Sequence, residues 1–234
     1  PESRALILSA YSAMELREKG ATAVLNKYFN EKPKLHYLSY MGSGYTFHIY
    51  LRKKPKRTPD GGGLDLSGLR IRGGSVYQPV FGVFGASAVP VHTAEIFTAL
   101  QRGTVDGIGW LNRGLTDFSW EKHIKYRVLP SYWQGDVSLV VQLDKWRSLS
   151  KNAKDVLSTI GVKYERVAHE FFAGGAADEL AKLRAAGMKD VSLKGDHVAK
   201  FREASTKSMW DIVEKKAGKS ARQELEAAFT KKKM

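Results

Sequence analysis

The chain has 234 residues, 43% of them hydrophobic and 26% charged, with a formal net charge of +14 and no cysteine. Those values describe a globular chain of one large domain or two small ones. They exclude a disulfide framework, a thiolate metal site and a cysteine nucleophile, and no run approaches the roughly 18 consecutive apolar residues of a membrane span.

The opening "PESRALILSAYSAMELREKG" reads as the middle of a domain, as in a mature or truncated chain. Within it "ALILSA" is expected as a short apolar strand or turn. Ser12 with Glu15 three positions on is a capping-box signature. A helix is predicted from there to Phe29, weakened at Gly20. "KLHYLSY" and "YTFHIYL" alternate and predict two strands. The basic, proline-bearing loop "KKPKRTPDGGG" follows as a candidate crossing between domains. "SGLRIR" predicts a strand of about five residues, "SVYQPVFGVFG" a helix with Pro79 in its first turn, and "SAVPV" an extended piece. "TAEIFTALQRG" predicts a short helix that Thr93 can cap and Gly103 ends. "TVDGIGW", "HIKYRVL" and "DVSLVVQL" read as strands, and "LNRGLTDFSW" as loop and helix. Asp144 precedes a short helix around Trp146. Leu157, Ile160, Tyr164, Val167 and Phe171 then repeat every three or four residues in a helix that runs to about Ala186. It either bridges two lobes or kinks at Gly174-Gly175. "GMKDVSL" is a last strand, Asp196 caps a further helix with Phe201 and Trp210, and a charged helix closes the chain. Strands alternating with helices predict an α/β fold with a largely parallel sheet.

Catalytic patterns are sparse. The six histidines, His36, His48, His92, His123, His169 and His197, do not pair at metal-ligand spacing. Gly42-Ser43-Gly44 lacks the flanking glycine of a nucleophile elbow, and Gly61-Gly62-Gly63 has no Lys-Ser/Thr ending for a phosphate loop. The positive charge, gathered at residues 52–57, at Lys215, Lys216 and Lys219, and at Lys231–Lys233, admits a polyanion- or nucleic-acid-binding module as an alternative, though no aromatics interleave with it.

One stretch suits an anion. Arg72 ends a predicted strand, and Gly73-Gly74 lets backbone N–H groups approach a ligand before the next helix. A guanidinium fork matches a carboxylate with two parallel hydrogen bonds, and the carboxyl edge of an α/β sheet is where ligands bind. Arg70 shares the same strand face. Arg72 is favoured because it lies nearer the strand end, although a structural ion pair for either arginine stays open at this point.

A wider view supplies a resemblance. "RTPDGGGLDLSGLRIRGG" and "GASAVPVHTAEIFTALQRGTVDGIGW" resemble the solute-binding proteins of tripartite ATP-independent periplasmic (TRAP) transporters, DctP type. Thr58, Pro59, Asp65, Leu66, Gly68, Leu69 and Arg72 match the first family segment. Gly85, Ala86, Val89, Pro90, Glu95, Ala99, Leu100, Gly103, Asp106 and Gly107 match the second, and Trp146, Leu149 and "LAKLRAAGM" the third. The resemblance implies a periplasmic binding protein without catalysis, cofactor or metal. It would capture an organic acid and hand it to a membrane permease. The implied fold is α/β, with two periplasmic-binding-protein-like lobes and a long helix spanning both. Residues 1–43 and 136–175 are expected in the first lobe, and 44–135 and 176–234 in the second. The family's carboxylate-binding arginine falls on Arg72. Trp110 stands at a position whose aromatic face can pack on the solute, His92 and Thr93 precede the helix that lines the cleft, and Ser75 adds a hydroxyl. Tyr45, Tyr132 and Trp133 are further cleft candidates.

Departures from the family pattern also stand out. Gly73-Gly74 replaces the usual pair after the arginine, Thr46 stands where a second arginine is common, and Gly109 where some members carry an acidic metal contact. An N-terminal β-α-β portion of the family has no counterpart in the sequence, so the first lobe is expected to be incomplete.

Overall fold

The computed structural model describes residues 3–9 and 11–230. The chain divides into two compact units, one made of residues 1–45, 134–174 and 209–234, the other of 46–133 and 175–208. The C-terminal segment 209–234 therefore falls in the first unit, whereas 176–234 was expected in the second. The crossing also lies at residues 45 and 46 rather than in the basic loop, which belongs wholly to the second unit.

In chain order the helices are α1 (Arg4–Leu8), α2 (Ala13–Glu18), α3 (Ala21–Glu31), α4 (Gln78–Gly82), α5 (Ile96–Arg102), α6 (Leu143–Ser148), α7 (Lys151–Ala185), α8 (Asp196–Ala217) and α9 (Lys219–Phe229). The strands are β1 (Leu35–Tyr40), β2 (Thr46–Leu51), β3 (Lys56–Arg57), β4 (Leu64–Asp65), β5 (Arg70–Arg72), β6 (Ser87–Val89), β7 (Gly107–Leu111), β8 (Tyr126–Leu129), β9 (Trp133–Gln134), β10 (Ser138–Gln142) and β11 (Lys189–Ser192). Where a strand or turn was expected at residues 5–10, α1 forms instead, because Ala5, Leu6 and Ile7 on one turn are all buried; Ala10 and the basic residues Lys231–Lys233 lie outside the described residues.

The first unit is built on helices. The Ser12 capping box is present: the Ser12 hydroxyl accepts from Glu15 N, and Glu15 Oε2 accepts from Ser12 N at 2.7 Å. The helix then breaks at Gly20, whose φ of 75° sits in the left-handed region. Leu6, Leu16, Leu25, Phe29, Tyr37 and Tyr40 form the core together with Trp210, Val213, Leu225 and Phe229. That burial explains the corrected boundary, since the apolar faces of α8 and α9 find their partners on α2, α3 and β1. β1 pairs with β10, antiparallel, in a two-stranded sheet.

The second unit holds the main sheet, in the order β11-β8-β2-β7-β5-β6, with β9 attached to β2. The sheet is mixed rather than largely parallel. β5 runs parallel to β6 and β7, and β11 to β8, but β2 runs antiparallel to β7 and β8. The short β3–β4 hairpin lies apart from it. Tyr50, Ile96, Leu100, Ile108, Trp120 and Leu183 form the core on one side. The predicted helix after Arg72 is a 3-10 turn, Ser75–Tyr77, followed by α4 with Pro79 in its first turn. Gly103 ends α5 as expected, with φ 75°. Thr93 does not cap it: residues Thr93–Glu95 wind into a 3-10 turn, and no side chain bonds the helix start. The long helix α7 is continuous, and the division between units falls between Gly174 and Gly175.

Candidate functional site

β5 and β6 run parallel, so the loops after both strands leave from one sheet edge. A cavity of about 480 Å³ opens there, lined by Arg72, Gly73, Gly74, Pro90, Val91, His92, Thr93 and Glu95. Arg72, His92 and Thr93 are thus brought together. Ser75 is exposed on the turn just beyond Gly74 and does not line the cavity.

The two arginines of β5 have different settings. Arg70 is tied down: its backbone N–H donates to Asp106 Oδ2 at 2.9 Å, Nη2 donates to Gly103 O at 2.8 Å, and Nε lies 3.9 Å from the same carboxylate. Arg72 is half-buried and has no acidic partner among the described residues. Its Nε donates to Val91 O at 3.1 Å, which leaves the fork's two terminal nitrogens for other acceptors. Burial lowers its pKa from the usual arginine value, partly offset by Tyr77 and Tyr132; a guanidinium remains charged regardless.

Trp110 backs the arginine. The Arg72 guanidinium carbon stands 5.0 Å from the centre of the indole ring, a cation–π distance. The ring is held edge-on against Trp120 at 4.9 Å, and its Nε1–H is buried with no hydrogen-bond partner among the described residues. Tyr132 completes the neighbourhood from the other face of β7. Gly109 makes this possible, since a Cβ there would come within 2.8 Å of the Tyr132 hydroxyl and 2.7 Å of Phe81. The Tyr132 hydroxyl is buried without a hydrogen-bond partner among the described residues, and burial holds its pKa well above the usual tyrosine value. Trp133 lies beside it, with Nε1 donating to Ser205 O at 3.0 Å. Tyr45 is placed in the first unit, buried edge-on to Phe172 at 4.8 Å, and is not among the residues lining the cavity.

Ser43, His169 and His197, in stretches that lack a catalytic pattern in the sequence, have structural partners. Ser43 is 1% exposed, and its Oγ lies 2.7 Å from His169 Nδ1, so the pair fixes a loop to α7 with no access for a substrate. His197 bonds Asp60 at 2.7 Å beside Gly62 and Gly63. No cluster among the described residues has the makings of a metal site. No helix of the described residues is long and apolar enough to cross a membrane. Sequence reading missed the contribution of Val91 O and of the Gly109 gap. Val91 is chosen by tertiary pairing, whereas Gly109, one residue before Trp110 in a strand, was a readable sign of close approach.

The chain belongs to the DctP family, bacterial extracellular solute-binding protein, family 7, whose pattern matches residues 8–216. It is 28% identical over 163 residues to a solute-binding protein of Albidiferax ferrireducens, covering 68% of this chain and 47% of that one. It is 25% identical over 160 residues to a monocarboxylate 2-oxoacid-binding periplasmic protein of Nostoc sp., covering 67% and 43%. The match thus spans less than half the length of these curated relatives. Among solved structures, the fold is similar to a TRAP periplasmic solute binding protein from Rhodoferax ferrireducens with bound malonate, at a TM-score of 0.67 and 23% identity, over 90% of this chain and 67% of that one.

Proposed function

We propose that this chain is the solute-binding component of a TRAP transporter, which captures an organic acid in the periplasm through Arg72 and delivers it to the membrane permease without catalysis. The observation that carries the reading is the contrast within β5: the Arg70 guanidinium bonds Gly103 O and lies 3.9 Å from Asp106, while Arg72 faces a cavity with no acidic partner among the described residues. A half-buried guanidinium is costly unless it meets an anion, and two free terminal nitrogens suit a carboxylate. The Gly73 and Gly74 backbone, His92, Thr93 and the Glu95 carboxylate supply the remaining polar surface, and Trp110 fixes the arginine's aim. The malonate of the Rhodoferax protein and the 2-oxoacids named for the Nostoc protein are both carboxylates, which supports the same class here.

A thermal-shift screen against mono-, di-, oxo- and sugar acids is expected to give a stabilised complex with at least one. Arg72→Ala should then weaken that acid about thirtyfold or more, as loss of a buried charged contact does. Arg72→Lys should also be damaging, because the fork is lost. An unchanged affinity for the acid in calorimetry on Arg72→Ala overturns the assignment.

A further inference from the structure

A second cationic hollow lies at the other end of the same strands. β5 and β7 run parallel, and Leu69 and Asp106 stand just before them, opposite the edge where Arg72 ends β5. There a cavity of about 210 Å³ is lined by Arg52, Lys53, Lys54, Pro55, Lys56, Asp65, Ser67, Leu69 and Asp106. We propose that this hollow is a docking surface for an acidic segment of a protein partner, an extended stretch in which an apolar side chain stands between carboxylates.

A loose basic loop would not carry this, but the run is pinned. Arg52 N donates to Asp106 O at 3.0 Å, Pro55 is buried in the middle, and Arg57 Nη1 donates to Ser192 O at 2.8 Å. The Arg52 guanidinium packs over Gly103, where a Cβ would come within 2.9 Å of Nη1. The charge is not balanced internally. Four cations line the hollow against two carboxylates already in use. Asp106 is taken by Arg70, and Asp65 accepts from Ser67 N at 3.0 Å, the Ser67 bonds holding its pKa below the usual value. Arg52, Lys53 and Lys54 have no ion pair among the described residues. Pro55 and Leu69 give an apolar floor between the cations. A pinned backbone reduces the ordering cost of binding, and a positive rim selects an acidic partner over others. The occupant is thus read from charge complementarity and from an apolar floor set among cations. The proposal does not depend on Arg72 binding a solute.

The test is fluorescence polarisation with the whole chain and a labelled peptide alternating glutamate and leucine, set against an all-glutamate peptide of equal charge and a labelled DNA duplex. The alternating peptide is expected to bind best. Combining Arg52→Glu with Lys54→Glu should weaken it about tenfold or more, whereas Lys215→Glu with Lys216→Glu, an equal change of net charge, should alter it less than about twofold. Lys53→Glu with Lys54→Glu, both exposed, repeats the test without touching the packed arginine and should also weaken binding. Carboxylate-induced thermal shifts should be the same in all of these variants as in the parent chain, which separates this surface from the Arg72 cavity. No binding of the peptide, equal loss in the Lys215/Lys216 control, or tighter binding of DNA with a steep salt slope each overturns the proposal.

Discussion

Both units grip the long helix through a buried glutamate, but they grip it differently. In the first unit Glu165, 2% exposed, receives Arg17 Nε and Nη2 at 2.8 and 2.7 Å and Tyr40 N at 2.9 Å. In the second, Glu179 accepts from Thr116 N and Thr116 Oγ1, both at 2.8 Å, with no ion pair to a cation among the described residues. The rest of the helix differs more. In the second unit Leu183 joins the core. In the first, the apolar stripe is exposed: Val156, Ile160, Tyr164 and Val167 are open, and Phe171 is 59% exposed, while Gly161, Glu165 and Ala168 face inward. The lesson is that α7 is held in the first unit by a charged clamp and in the second by a neutral clamp plus apolar burial.

The hardest way to break this comparison is Arg17→Ala. It leaves Glu165 buried without its cation, and such a loss costs about 3–5 kcal/mol; a urea midpoint lowered to match, without loss of helix in α7 at zero urea, is the expected result. A slightly smaller effect separates the units by pH. His48, buried in β2 of the second unit, has Nδ1 3.0 Å from Val128 O, and burial lowers its pKa from 6.5 to about 4. Between these values the unfolded chain binds a proton that the folded chain does not. Stability is therefore fully present above about pH 6.5 and lost as pH falls towards 4, by about 3 kcal/mol in total. Hydrogen exchange at pH 4.5 should loosen the second unit first, and His48→Gln should flatten that dependence. Thr116→Val sharpens the neutral clamp, since it removes one hydrogen bond to a buried carboxylate. About 1.5–3 kcal/mol is expected from the urea midpoint. Ile160→Ser and Phe171→Ser should each change stability by no more than about 0.5 kcal/mol, as surface positions do. A large loss there would mean that the stripe is covered.

Much of the fold was legible. Local signals set the Ser12 cap, the end of α5 at Gly103, the extent of α7 and the strands of the main sheet other than the two-residue β9, which tertiary pairing with β2 creates. Within the site, Arg72 was singled out by its position before two glycines, and His92 and Thr93 do share its cavity. Other features were not legible. Arg70 and Arg72 look alike in sequence, and only the approach of Asp106 to one and Val91 O to the other separates them. The period of α7 pointed to a buried apolar stripe, whereas the packed side of that helix is the one bearing glycine, glutamate and alanine.

The sequence by itself determined most of the longer helices and strands, and where a fixed cation stands at a strand end, because caps, periodicity and backbone freedom act over a few neighbouring residues. Only the tertiary structure decided that residues 209–234 return to the first unit, that β2 runs antiparallel among its neighbours, and which arginine is left without a carboxylate. Those outcomes depend on pairings between segments far apart in the chain, where burial and charge are settled by whichever surface arrives to meet them.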